Sequence, residues 1–401
     1  MIKRTFLRIF AVVAAAIAVS AFWWPAGVVI HASVDRGTKG DGIPAAAWAL
    51  HHSLASRMEK WAAERVASGQ AAQLDTSDIS GTEWPLFGNA FYLMALANLQ
   101  SEWDKKRGPG PEPRVLARDA IQAAAKLVAD PNHAHWVKQH WGDNYLQHQN
   151  LFYRMLLISS FSAHERLLGT GQYVPFLRDQ VESLSSELDS APSGLLEDYP
   201  GQCYHVDIAF AIRAIQQADS VLGTDHSAFV ERELRAFPPG ILPPYFADQT
   251  TGKSRSPVRG CSTSPFLMHA ATLWPEHVNE WERLYNRDFW QSRWWAVGYR
   301  EFASTAAPNG SGENYFDVDS GPVIAGFGSA ASAFGIGSTR ANGDSPRARA
   351  LTLQALAVGW PMPGGGLFLP RLVSNQVHAP LLGDCGSVSY THLTLPTIYS
   401  V

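Results

Sequence analysis

Titratable side chains are densest in Glu197-Asp198-Tyr199-Pro200-Gly201-Gln202-Cys203-Tyr204-His205-Val206-Asp207, where three acids, a thiol, two phenols and an imidazole fall within eleven residues. A helix beginning at Tyr204 puts Cys203 or Tyr204 at its positive end, which lowers a thiol pKa and favours a carboxylate, with Asp207 one turn further in. A thiolate or carboxylate base is the chemistry this arrangement prepares, with Glu197 and Asp198 as neighbouring acids. On the plainer reading, Asp207 complements the helix dipole, Tyr199-Pro200-Gly201 is a turn, and Cys203 is a small buried apolar side chain.

A second stretch, Glu313-Asn314-Tyr315-Phe316-Asp317-Val318-Asp319-Ser320-Gly321-Pro322, precedes a Gly-, Ala- and Ser-rich run that reads as a helix over Gly321–Arg340. Asp319 or Ser320 is its expected N-cap, with Pro322 near the first helical position. Capping accounts for one acid and not two. Asp317 and Asp319 projecting together would leave one of them protonated, as a general acid needs near neutral pH. The third stretch, His140 to Asn150, supplies His148 as an acid/base candidate and Tyr145 as a substrate-orienting phenol, alongside Tyr199, Tyr204 and Trp84. Arg259, with Arg255 and Ser262-Thr263-Ser264, lies at a loop-to-helix junction where a guanidinium and backbone N–H groups can hold an anion or hydroxyl; a surface ion pair is the duller account. Neither His133 with His135 nor His51-His52 has the spacing of a metal site, so no metal is expected. No phosphate loop, nucleophile elbow or dinucleotide fingerprint occurs, and no cofactor is implied.

Helices must position these groups, because apolar residues recur at helical spacing between Gly- and Pro-rich breaks. The candidates are Ala45–Gly69, a helix from Glu83 with Leu86, Ala90, Phe91, Met94, Ala97 and Asn98 on one face, Arg114–Ala129, Tyr145–Leu168, Val174–Leu188 and Tyr204–Leu222. His226–Ala236, Gly260–Leu273, Pro275–Trp290, Gly321–Arg340 and Pro346–Val358 follow, and a twelfth begins near Leu372 with Leu372, Val373, Val377 and Leu381 as its apolar face. Twelve helices in one all-α domain, residues 35–386, fit six helical hairpins closed into an (α/α)6 toroid, the last helix cut short. An open solenoid would show a repeated motif, and none is found. Phe237–Pro257 and Phe302–Phe316 lack the pattern and are expected over one mouth of the ring. Gly326, Gly328, Gly335 and Gly337 suit an inner-ring helix in close contact with its neighbours; the apolar run Gly321–Gly337 is short for a membrane span.

Residues 1–34 read as a membrane anchor or signal. Lys3, Arg4 and Arg8 precede an uncharged stretch from Ile9 to Ile30, long enough to cross a bilayer, with Trp23 and Trp24 toward the far interface and Ala18-Val19-Ser20 as an alternative cleavage site. The main domain is then extracytoplasmic, periplasmic or on the outer face. Three cysteines make no disulfide framework, although one Cys203–Cys261 bond is permitted. A net charge of −4 without a block of one sign excludes nucleic acid as a partner, and homo-oligomers are admitted. Residues 387–401 lack periodicity and resemble a non-native tail.

From about Trp84 to Asp384 the chain resembles the linalool dehydratase/isomerase family. The likeness rests on Phe87-Gly-Asn-Ala-Phe-Tyr-Leu-Met-Ala-Leu-Ala, Gly194-Leu-Leu-Glu-Asp-Tyr-Pro-Gly-Gln-Cys203, Leu222-Gly-Thr-Asp225 and Asp319-Ser-Gly-Pro through Ser332-Ala-Phe334. The resemblance implies an α6/α6 toroid with its pocket in the ring and cofactor-free acid/base dehydration and allylic rearrangement of a hydrophobic alcohol. Glu197 stands where the family's first pocket cysteine would be, Cys203 lies near the second, and Leu156 replaces the histidine. The expectation is therefore a lyase or isomerase acting on a small hydrophobic alcohol, with a carbohydrate-active toroid (glycosidase or epimerase) and a non-catalytic envelope binding protein as alternatives.

Overall fold

The computed structural model describes residues 2–106, 110–303 and 312–392. Residues 304–311 of the Phe302–Phe316 loop and 393–401 of the suspect tail lie outside the described residues. The chain is mostly helical. Its longer helices are α1 Ile2–Val34, α2 Ala45–Ser68, α3 Ile79–Lys106, α4 Arg118–Ala129, α5 Leu151–Leu168 and α6 Val174–Ser190, then α7 His205–Leu222, α8 Gly260–Leu273, α9 Val278–Phe289, α10 Ser329–Ala341, α11 Ser345–Gly359 and α12 Leu382–His392. Shorter helices at Pro113–Leu116, His135–Trp141, Ser227–Glu233 and Phe368–Ser374 join them.

Local chemistry sets several boundaries. Gly69, Gly169 and Gly223 adopt the left-handed conformation just past α2, α5 and α7, where their N–H groups satisfy carbonyls of the last turn. Asp344 caps α11 by accepting from Arg347 N–H, with a proline at the start of the helix. α5 starts at Leu151, later than the sequence suggests, because Gln149 and Asn150 both have positive φ.

Packing runs in a cycle. α3 packs on α5, α5 on α7, α7 on α8, α8 on α10, α10 on α12, and α12 back on α3. α3, α5 and α8 bury most of their residues: α3 places Leu86, Phe91, Tyr92, Leu93, Leu96 and Leu99 in the core. α2, α4, α6, α9 and α11 lie against them, α2 on α4 and α12, α6 on α5 and α7, α9 on α8, and α11 on α10. α1 is long and apolar enough to cross a membrane or to be a signal. Residues 5–19 are exposed, whereas Pro25 and Ala32 are buried and the helix packs on α11.

Short antiparallel strands interrupt the helices. β1 Cys203–Tyr204 pairs with β2 Phe246–Ala247, β3 Trp290–Arg293 with β4 Ala296–Tyr299, and β5 Asn314–Asp317 with β6 Gly321–Ile324, which continues to β7 Phe327–Gly328. The expected helix Gly321–Arg340 is thus half hairpin. Gly321, Ala325 and Gly326 take positive φ, which stops a helix, so α10 begins only at Ser329 with Gly328 as N-cap. Neither Asp319 nor Ser320 is the N-cap residue, although the Ser320 carbonyl accepts from Ala330 N–H and Ser329 Oγ in the first turn of α10, and of the four glycines only Gly335 and Gly337 are helical. Gly335 does serve close packing, since a Cβ there would lie 2.6 Å from the Tyr299 ring. The apolar face foreseen at Leu372, Val373 and Val377 is exposed; Leu381 alone of that set is buried. No disulfide forms, and Cys203, Cys261 and Cys385 are all free and buried.

Arg154, wholly buried in α5, ties α6 to the inner layer. Its Nε donates to Gln180, Nη1 to Glu187 Oε1 at 2.7 Å and to the Gln149 carbonyl, and Nη2 to Ser183. Removing such a partner strands buried polar groups. Arg154→Ala is expected to lose about 3–5 kcal/mol in urea unfolding, whereas Arg232→Ala, which breaks an exposed pair with Asp189, changes the midpoint little.

Candidate active site

All six helices of the packing cycle line one cavity of about 2090 Å³. Much of its wall is apolar: Phe87, Phe91 and Met94 come from α3, Phe152 from α5, Phe210 from α7 and Phe334 from α10. Besides Asp317, three carboxyl groups line this wall, Glu83 from the first turns of α3, Asp207 from the first turn of α7, and Asp319 from the turn between β5 and β6.

The segment before α7 fixes two phenols at the same place. Gly201, at φ +78°, lets the chain reverse, so Asp198 N–H donates to Gln202 O and Gln202 N–H to Tyr199 O. The turn is anchored from outside, because Gln149 Oε1 accepts from Glu197 N–H at 2.7 Å and from Gln249 Nε2 at 3.0 Å. Tyr199 and Tyr204 then face the cavity. Tyr199 OH donates to Glu83 Oε2 at 2.8 Å. Tyr204 packs edge-on against Tyr245, whose hydroxyl donates to Asp319 Oδ2.

Burial in apolar surroundings, followed by the charges of Asp319 and Glu83, raises the Asp207 carboxyl to about 8. Burial lifts Glu83 to about 7, with the Tyr199 hydrogen bond opposing and Asp319 adding to the rise. Asp319 is also raised, by burial first, while Tyr245 holds it back. Near neutral pH the site therefore holds carboxylic acid and carboxylate together, the condition for paired general acid and base.

The sequence-expected residues divide cleanly. Asp207, Asp317, Asp319, Trp84, Tyr199 and Tyr204 line the cavity. Glu197, Asp198, Cys203, His148, Tyr145 and Arg259 do not. Asp198 is buried behind the turn, where its Oδ2 accepts from Tyr204 N–H, and burial with the nearby Asp207 charge holds its carboxyl well above the usual range. Cys203 is the opposite of an activated thiol: burial pushes its pKa up, and its Sγ–H donates to Leu196 O. His148 is exposed beside Trp141, and Tyr145 leans on Tyr153 under Lys138. Glu197 is held through its backbone to Gln149 and Leu151.

Arg259 is not a free anion receptor. Its guanidinium is committed to Glu301 and Asp317, each at 2.7 Å, and lies 4.5 Å from the centre of the Tyr245 ring. Asp317 in turn accepts from the N–H groups of Asp319 and Ser320 and from Tyr315 OH. Burial would raise Asp317, but the Ser320 hydrogen bond and Arg259 hold it below the ordinary value. Asp317 is thus a fixed anion that shapes the turn carrying Asp319. Among the described residues no three His, Cys, Asp or Glu side chains gather as a metal site.

Sequence reasoning missed Glu83, Tyr245 and Cys261. The available signal for Glu83 was a lone acid beside Trp84 at the head of an otherwise apolar helix. The chain matches no family model, and no curated protein matches it.

An aspartate with a raised folded-state pKa costs stability as pH climbs. Below about pH 4 both folded and unfolded forms are protonated; above it the unfolded chain ionises and gains, until the folded group follows near 8. Asp207→Asn is therefore expected to melt above the wild type at pH 8, with the difference in Tm closing as pH falls toward about 4.

Proposed function

We propose that this protein is a cofactor-independent lyase or isomerase that dehydrates or rearranges a hydrophobic alcohol by acid/base chemistry. The observation that carries the reading is the set of three carboxyls with raised pKa, Glu83, Asp207 and Asp319, on one largely apolar cavity wall. Protonated Asp207 donates its proton to the substrate hydroxyl; the C–O bond breaks and water leaves. Asp319, as carboxylate under the Tyr245 hydroxyl, takes a proton from the adjacent carbon, and that C–H pair becomes the C=C bond. A proton returning from Asp319 to Asp207, with Glu83 as intermediary, restores the starting state. Phe87 and Phe152 offer π-faces to positive charge developing on carbon. Returning water to a different carbon would give isomerisation.

We read the closed cycle of inner helices, with paired outer helices, as an (α/α)6 toroid, and the likeness to the linalool dehydratase/isomerase family points to the same chemistry. Glu83 takes the part expected of Glu197. The phenylalanine-rich wall favours an alcohol with a hydrocarbon body over a sugar. α1 is read as a retained anchor: Arg349 Nη2 donates to Ser33 O at 2.8 Å, and Phe22 packs edge-on to Trp360, so its C-terminal end is part of the fold. With Lys3, Arg4 and Arg8 on the near side, the domain lies outside the cytoplasm.

On a panel of tertiary and allylic alcohols, Asp207→Asn and Asp319→Asn are each expected to lower kcat by about 10²–10⁴-fold, while His148→Ala and Glu197→Gln leave it unchanged. Unchanged turnover in both aspartate variants overturns the assignment. The rate should fall above about pH 8 as Asp207 loses its proton, and in acid as Asp319 gains one. Tyr245→Phe removes a hydrogen bond that favours the Asp319 carboxylate, so its acid limb moves to higher pH.

A further inference from the structure

The cavity does not end at the acids. Its wall continues past Met94 and Phe334 to Val358, Leu369 and Val373, and reaches Val29 of α1. Val358, Leu369 and Val373 are also exposed on the outer surface, so they form a rim. Around that rim the surface stays apolar. The short helix Phe368–Ser374 buries none of its residues, and Phe368, Leu372 and Val377 are exposed with it. Exposed apolar side chains gathered on one short helix beside a cavity mouth mark a contact.

Its position indicates which contact. Phe22 of α1 packs against Trp360, eight residues before Phe368, so the rim lies beside the part of α1 where Trp23 and Trp24 follow the exposed apolar stretch. Paired tryptophans at such a point suit the headgroup layer of a bilayer. Charge does not oppose contact with lipid: no Asp or Glu lies between Asp344 and Asp384, Arg347 and Arg371 are paired with those two acids, and Arg349 donates to Ser33 O of α1.

We propose that the rim formed by Val358, Leu369 and Val373, together with the exposed Leu372 and Val377, sits in the interfacial layer of the bilayer that α1 enters, and that the cavity takes a membrane-dissolved amphiphile directly from lipid. The polar end of that amphiphile reaches Glu83, Asp207 and Asp319, and its apolar body lies along Phe91, Met94 and Phe334. This rests on reading the cavity as the substrate site and α1 as the anchor.

The full chain in phospholipid vesicles tests it. Single cysteines at Trp23, Leu372, Val377 and Arg178 carry an environment-sensitive fluorophore, and lipids with headgroup-attached nitroxide act as quencher. Arg178 is exposed on α6, which packs on α5 and α7. Quenching is expected at positions 23, 372 and 377 and not at 178. Loss at 372 and 377 with quenching retained at 23 overturns the docking, and so does absence of quenching at 23, which removes the anchor.

Entry is read separately with a long-chain alkanol bearing a photoreactive diazirine, dissolved in the vesicles. Labelling of peptides containing Met94 and Phe334 is expected, falling several-fold in Leu369→Glu/Val373→Glu, whose substituted side chains are on the surface. Undiminished labelling in that variant overturns entry through the rim. Labelling should persist in Asp207→Asn, because it reports occupancy and not turnover. Failure of the acid/base chemistry is thereby distinguished from failure of the lipid route.

Discussion

Carboxyl groups set against an apolar wall cannot all carry charge. Each ionised form loses water, and each charge raises the cost of the next, so Asp207 near 8 and Glu83 near 7 follow first from burial and only then from the neighbouring Asp319 charge. The rest of the molecule acts to impose that placement. Left to relax, the acids would turn to solvent and titrate ordinarily. Their convergence from α3, α7 and the β5–β6 turn requires helices far apart in sequence to be packed against one another first.

The supports are visible as polar interactions around the acids. Gln149, in a left-handed backbone conformation, holds the turn before α7. Glu301, Arg259 and Asp317 form a continuous ionic chain that fixes the turn bearing Asp319. Tyr199 and Tyr245 each orient one carboxyl. Stability spent on holding protonated acids against an apolar wall is the expected companion of a functional site.

Long periodic segments were legible because their cause is local. Gly260–Leu273 and the end of the helix at Leu222 could be read directly, since Gly, Pro and the apolar period all agree there. Gly321–Arg340 misled, because small apolar residues suit a helix as well as a hairpin and only the positive φ of Gly321, Ala325 and Gly326 decides between them. Half of the expected site residues reached the cavity. Asp207 and Asp319 did so because they sit at element boundaries near the inner layer. Cys203 and Arg259 were misjudged for a common reason: their neighbours in sequence suggested reactivity, whereas their neighbours in space, Leu196, Glu301 and Asp317, bury or neutralise them. Glu83 and Tyr245 were hidden because tertiary folding alone brings them to Tyr199 and Asp319, 116 and 74 residues away in the chain.

The most direct measurement is a pH titration of the chain labelled with ¹³C at its Asp and Glu carboxyl carbons, followed by NMR. One resonance, missing from the Asp207→Asn spectrum, should titrate with a midpoint near pH 8. If every carboxyl instead titrates below about pH 5, as free aspartate and glutamate do, the acids do not share an apolar wall and the account fails.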